Sequence, residues 1–377
     1  MKKVLFTFIV LSIFLGIIVF LGCGPKESGL IKIGVILPLT GDLASYGQNA
    51  KDGIGLFVDE YNGLHEQKGT KKISVLYEDS KNQPDQAVAA INKFISLDKV
   101  IAVIGDVGSS PTLAMAPIAN KNKIVIISPA ASSPEISKAG PYIFRVWPSD
   151  VFEADRMAQY VNKVEIKRLS LLSVNNDYGK AMVNEFKAMT SSTKLKIVTE
   201  DYFEQNVTDL RLELTKIKTS NPDGIYLISY PKETMTILRQ IKELGIKIKI
   251  LATSSFEDPL VLNEIDNNIQ NPIFTSPIPP READAEVAAF KENYEKRFGK
   301  KPGLVADYGY DAMKVIIEAV TNSNKITNES VFSGIQKMDS IKGATGIIKF
   351  DSNGDVLKPA GIKTVINGKY EWLEKQE

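Results

Sequence analysis

A chain of 377 residues is long enough for about two domains, and 44% hydrophobic with 24% charged residues is a folded protein's composition, which excludes disorder as the working state. Its 46 basic residues against 45 acidic ones, with no long block of one sign, leave no electrostatic footprint for DNA or RNA. One cysteine and one histidine exclude an internal disulfide and any zinc site built on those side chains.

In chain order, Lys2 and Lys3 precede an uncharged, mostly apolar run from Val4 to Leu21, the pattern of a secretory signal over residues 1–22. The run ends in Leu21, Gly22, Cys23, Gly24, which resembles a bacterial lipoprotein processing site with Cys23 as the lipidated residue. Phe20 stands where such sites usually carry leucine, so ordinary cleavage and an uncleaved anchor remain as alternatives. Residues 23–30 then read as the linker to the folded part.

Short β-branched runs at 31–36, 73–77, 101–104 and 124–127 predict strands, and the segments 47–62 and 84–97 between them carry apolar residues at helical spacing. Strands alternating with helices predict a parallel sheet. The pattern restarts after Arg145, Val146, Trp147 and Pro148, with helices over 152–162, 179–188 and 210–218 and strands over 169–174, 196–202, 224–228 and 249–252. Ile278, Pro279 and Pro280 predict a stiff return passage before a helix over 286–298. No Ser/Gly-rich linker separates the halves, so two lobes tied by several extended passages are expected.

Ligands of open parallel sheets bind beyond the carboxyl ends of the strands. After 101–104 the loop Gly105, Asp106, Val107, Gly108, Ser109, Ser110, Pro111 places Pro111 as a first helical residue and offers amide hydrogens and the Ser109 hydroxyl to an anion such as a carboxylate. The alternative is that the serines only cap the helix. After 124–127 the loop Ser128 to Glu135 offers the Ala130 carbonyl and the Ser132 hydroxyl, which suit an ammonium group beside that carboxylate. Tyr46, Tyr178, Tyr230 and Tyr308 follow predicted strands or loops and fit pocket walls, with core packing as the alternative for each.

The inventory argues against an enzyme and against a resident metal or cofactor. His65 is the only histidine, no Gly-x-Ser-x-Gly elbow is present, and there is neither a Walker loop nor a Gly-x-Gly-x-x-Gly fingerprint. Glu78 and Asp79 are adjacent on a predicted strand and point to opposite faces. Asp351, Asn353 and Asp355 open like a calcium loop, yet the twelfth position is Ile362, so a turn at Asn353 and Gly354 is expected instead.

On residues 33–47, 77–90 with Asp79 and Gln86, 103–117, 126–134, 144–150, 175–179 and 346–355, the chain resembles the branched-chain amino-acid (Leu/Ile/Val) binding proteins, type I periplasmic solute-binding proteins of ATP-driven (ABC) importers. The resemblance runs in order from about Ile31 to Asp355. It implies an α/β fold of two doubly wound parallel-sheet lobes joined by a three-crossing hinge, lobe 1 being 31–148 plus 277–350 and lobe 2 being 149–276 plus 351–377. It implies an amino acid bound between the lobes, its carboxylate on Ser109, its amino group on the Ala130 carbonyl and Ser132, and Tyr46, Tyr178, Tyr230 and Tyr308 around it. The family's acid for the ligand ammonium aligns with Ser254, which leaves Glu257 or Asp258 to serve if the loop is offset. It further implies an extracytoplasmic, lipid-anchored protein whose partner is an importer's permease, with no cofactor. The same fold could bind a non-amino-acid carboxylate or amide, or serve a membrane receptor as a ligand sensor.

Overall fold

The structure, a computed structural model, describes residues 29–374 apart from 67–70, 266–268, 270, 322 and 324. The expected signal over 1–22 and Cys23 lie outside the described residues. Among the described residues no helix is long and apolar enough to cross a membrane.

Strand β1 (Leu30–Leu37) is buried without interruption from Ile33 onward, as a strand covered on both faces must be. It pairs in parallel with β2 (Lys72–Asp79) and β3 (Ala102–Gly105), and the sheet continues through β4 (Val125–Ser128) and β5 (Ile143–Arg145) in the order β2-β1-β3-β4-β5. Alternation along β1 decides which helix covers which face. Ile33, Val35 and Leu37 share a cluster with Ile54 of α1 (Ala44–Glu66), whereas Ile36 packs with Ala87 and Ile91 of α2 (Pro84–Lys93) and Met115 of α3 (Ser109–Asn122). Helix α2 ends four residues short of the expected 97 and passes into one wide π turn, Phe94–Asp98.

The second sheet repeats the plan with β6 (Arg168–Val174), β7 (Lys196–Phe203), β8 (Gly224–Ile228), β9 (Lys249–Ala252) and β10 (Ile273–Pro277), parallel in the order β7-β6-β8-β9-β10. Helices α4 (Asp150–Lys163), α5 (Asp177–Thr190), α6 (Arg211–Ser220) and α7 (Pro231–Glu243) belong to this half, with the single turn α8 (Pro259–Leu262) after β9. The chain then returns through α9 (Ala285–Phe298), α10 (Ala306–Thr321) and α11 (Asn328–Lys337) to the hairpin β11 (Ile341–Gly343) and β12 (Gly346–Ile348), with α10 packed on α1. Strands β13 (Ala360–Ile366) and β14 (Lys369–Glu374) end the chain antiparallel beside β10, so the second sheet is mixed where a wholly parallel one was expected.

In both halves the first strand lies between the second and the third, so each sheet has one point where the connections depart to opposite sides: between β1 and β3, and between β6 and β8. That switch point is where an open α/β sheet leaves a crevice for ligands. The two crevices face each other across a cleft bridged by the protein's own hydrogen bonds. Ser45 donates to Asp258 at 2.9 Å, Gln205 to Asp42 at 2.9 Å, and the Asp177 amide to the Ser110 hydroxyl at 3.2 Å.

The chain passes between the halves after β5, after β10 and between β12 and β13. A buried ion pair ties two of these passages. Arg145, fully buried, donates from Nε to Asp355 at 2.7 Å, from Nη1 to the carbonyls of Ser132 and Ser133 at 2.9 Å each, and from Nη2 to Ser137 at 2.8 Å. Asp355 is held in place by the turn expected at Asn353 and Gly354: Asp351 accepts from the amides of Asn353 at 2.8 Å and Asp355 at 3.0 Å, an arrangement with no call for calcium. Asp79, read above only as an unsuitable acid, clasps the loop after β1 by accepting from the Leu39 and Thr40 amides and the Thr40 hydroxyl.

Candidate functional site

The loop between β3 and α3 sets the first wall. Gly105 has φ +139°, a conformation that side chains avoid, and a Cβ on Gly108 would meet Asn82 Oδ1 at 1.9 Å, so both positions require glycine. Gly108 is the N-cap, and the helix begins at Ser109, two residues before the expected Pro111. Ser109 therefore is no cap. Its Oγ accepts the Ser133 amide at 3.2 Å, which leaves its own proton to donate elsewhere. The amides of Ser109 and Ser110 meet no acceptor among the described residues, as befits the open first turn of a helix. Ser128 holds the neighbouring loop in register by donating to the Asp106 carbonyl at 2.6 Å and accepting the Ala131 amide at 2.8 Å. Burial pushes the Asp106 carboxyl up to about 7, against the Ser80 hydroxyl and the Gly108 amide, which donates to its Oδ1 at 3.0 Å.

The second wall comes from the other switch point. Asn176 caps α5 by accepting the Gly179 amide at 3.0 Å, which orients the next turn so that the Tyr178 and Tyr230 rings stack at 5.4 Å. The Tyr178 hydroxyl bonds Thr253 at 2.7 Å, and Asn176 donates to the Tyr230 hydroxyl at 3.1 Å. Both phenols are raised far above ordinary tyrosine by burial and stay neutral.

Between these walls is a cavity of about 40 Å³, lined by Tyr46, Ser109, Ala130, Ser132, Tyr178, Tyr230 and Ser254, all seven expected from sequence, together with Leu43, Val107, Trp147, Ser255 and Val305, which sequence reasoning did not single out. By the measure on which one water needs about 10–15 Å³, this is room for about three waters. The Tyr46 hydroxyl is buried there without a partner among the described residues. Hydroxyls, a backbone carbonyl and aromatic rings thus converge on one small space.

Three expected residues are elsewhere. Tyr308 does not line the cavity; its ring packs at 4.6 Å behind Trp147, with the Lys358 ammonium 4.8 Å from the Tyr308 ring centre. Glu257 turns away, paired with Lys363 and accepting from Ser276 at 2.6 Å, while Asp258 caps α8 and accepts from Ser45. The acid that does reach Ser254 is Glu153 of α4, which accepts the Ser254 hydroxyl at 2.7 Å, the Ser254 amide at 3.0 Å and the Thr275 hydroxyl at 2.6 Å. Nothing in the local sequence marks it, because an acidic first turn is ordinary helix chemistry. Among the described residues no group of three or more metal-ligating side chains occurs.

A family model described as periplasmic binding protein matches residues 30–364. The Leu/Ile/Val-binding protein BraC3 of Rhizobium johnstonii is 26% identical over 343 residues, which cover 89% of this chain and 91% of that protein. Among solved structures, the branched-chain amino acid transporter substrate binding protein LivJ of Streptococcus pneumoniae, in complex with isoleucine, superposes with a TM-score of 0.81 at 28% identity over 92% of this chain and 100% of that one. A solute binding protein of an ABC transporter from Rhodopseudomonas palustris, in complex with 3,4-dihydroxy benzoic acid, shares the fold with a TM-score of 0.80 at 24% identity, over 92% of this chain and 96% of that one.

Proposed function

The chain belongs to the periplasmic binding protein family, and from that premise we propose that it captures an amino acid, branched-chain or related, between its lobes and delivers it to the permease of an ABC importer. As a member of that family it is an extracytoplasmic solute-binding protein and not an enzyme. The observation that carries the ligand class is the start of α3, whose first amides meet no acceptor among the described residues and whose first residue, Ser109, lines a cavity otherwise walled by Tyr46, Trp147, Tyr178 and Tyr230. A carboxylate satisfies the amides, the Ala130 carbonyl and Ser132 accept from an amino group, and the rings cover a short apolar side chain. We take the lobes as 31–148 plus 277–350 and 149–276 plus 351–377, closing about three crossings on a ligand that touches both. Cys23 is the lipidation site that holds the protein to the membrane. Palmitate-analogue labelling marks the wild type and not Cys23→Ala; label on both rules the site out.

The test of ligand class is thermal unfolding of protein lacking residues 1–23 in the presence of amino acids, short carboxylates, amides and sugars. A ligand at a hundred times its Kd adds about 2.7 kcal/mol of stability, which any melting assay detects. Silence from every carboxylate, with a response to sugars, overturns the reading. A second reading, a carboxylate without an amine, is favoured by Ser254 standing where the family's acid is expected. Response to deaminated analogues alone selects it.

A further inference from the structure

Two carboxylates stand directly behind the cavity wall, with no cation hydrogen-bonded to either among the described residues. Asp150 and Glu153 lie one turn apart on α4, both almost fully buried. Asp150 abuts Ser132: its amide donates to the Ser132 carbonyl at 2.8 Å, its Oδ2 is buried without a partner among the described residues, and burial and the Glu153 charge raise its carboxyl well above the usual range against the bond from the Ser132 hydroxyl. Arg145 is the cation that acts on Asp150, yet its hydrogen bonds go to Asp355, the loop carbonyls and Ser137. Glu153 is held by hydroxyls and an amide alone, and Glu257, the acid closest to filling the family role by sequence, is already neutralised by Lys363. Ser132 and Ser254, the residues these two acids contact, both line the cavity.

We infer that Asp150 and Glu153 together supply the counter-charge for the ligand's ammonium, acting through the hydroxyls of Ser132 and Ser254. The inference rests on the amino-acid reading above. Its chemistry follows from where the protons are. Ser254 spends its hydroxyl proton on Glu153, so its oxygen has only lone pairs to offer the cavity. With Ser132 and the Ala130 carbonyl it makes three acceptors, matching the three N–H groups of a primary ammonium. Burial and neighbouring acids raise both carboxyls, so a ligand cation in front of them favours their ionised forms where a neutral ligand does not. Asp150 and Glu153 are thus positioning residues that select an amine without touching it.

Calorimetry with L-leucine and with 4-methylpentanoate, the same skeleton lacking the amine, separates the possibilities. Glu153→Gln is expected to weaken leucine about tenfold or more while leaving 4-methylpentanoate within about threefold. Ser254→Ala, which leaves the acid in place and removes the acceptor, is expected to give the same selective loss and serves if Glu153→Gln unfolds. Equal losses for both ligands overturn this inference and leave the amino-acid reading intact. A wild type that binds 4-methylpentanoate as tightly as leucine, or binds neither, overturns both.

Discussion

Arg145 and Glu153 are eight residues apart, both buried at the junction of the lobes, and the fold treats them in opposite ways. Arg145 is met by a carboxylate, two loop carbonyls and a hydroxyl, all supplied by the protein. Among the described residues Glu153 and its neighbour Asp150 have no cation hydrogen-bonded to them, and the cavity in front of them collects further open groups at Ser109 and the Tyr46 hydroxyl. Satisfied buried polar groups maintain a structure, because removing one partner strands the other. Open ones are costly to keep, and their clustering at one cavity marks where a ligand completes the bonding. The division predicts which substitutions act on stability and which on affinity.

The largest effect belongs to the satisfied set. Arg145→Met strands Asp355 and frees three loop acceptors, and is expected to cost about 3–5 kcal/mol of stability in urea denaturation. A variant as stable as wild type breaks the comparison at its stronger end. Next, Ser109→Ala should lower ligand affinity by about 1–3 kcal/mol in calorimetry, because an ionised carboxylate loses a donor. The Ser133 amide also loses its acceptor, so the ligand-free melting temperature must be measured alongside; a shift in melting with unchanged affinity reassigns Ser109 to the satisfied set.

Asp106 offers a slope instead of a step. Its carboxyl sits near 7 when folded against 3.8 for the free group, so between those values the native state holds a proton that the unfolded chain has lost. Stability from this group is full below about 4 and falls as pH rises toward 7, by at most about 1.4 kcal/mol per pH unit. Asp106→Asn should flatten that fall in denaturation series from pH 5 to pH 7. An unchanged slope places the titration elsewhere. The smallest effect is Tyr46→Phe, expected to cost about 0.5–1.5 kcal/mol of affinity and no stability, since the hydroxyl has no internal partner to lose. Loss of stability would reveal a protein bond and remove Tyr46 from the open set.

The parts legible in sequence were those written in local pattern. Uninterrupted apolar runs such as 33–37 announce a sheet covered on both faces, and the Gly-Ser loop after β3 announces the helix start that forms one wall of the cavity. The start of α3 was misplaced because Pro111 tolerates the third position of a helix as well as the first, its missing N–H being idle throughout the first turn. The antiparallel β13 and β14 escaped notice because period-two alternation carries no strand direction. Asp150 and Glu153 were invisible for a different reason: their significance lies in facing Ser132 and Ser254, residues 18 and 101 positions away by numbering.

The bonds from Ser45, Gln205 and Asp177 across the cleft carry a kinetic consequence. Each is worth about 0.5–1.5 kcal/mol net, so the shut form is partly self-fastened and the molecules ready to admit solute are a fraction of the total. Apparent affinity is scaled by that fraction. Loading is then expected to follow how often these jaws release one another, and loosening a single fastening at Gln205, outside the cavity lining, would quicken loading and shorten retention together.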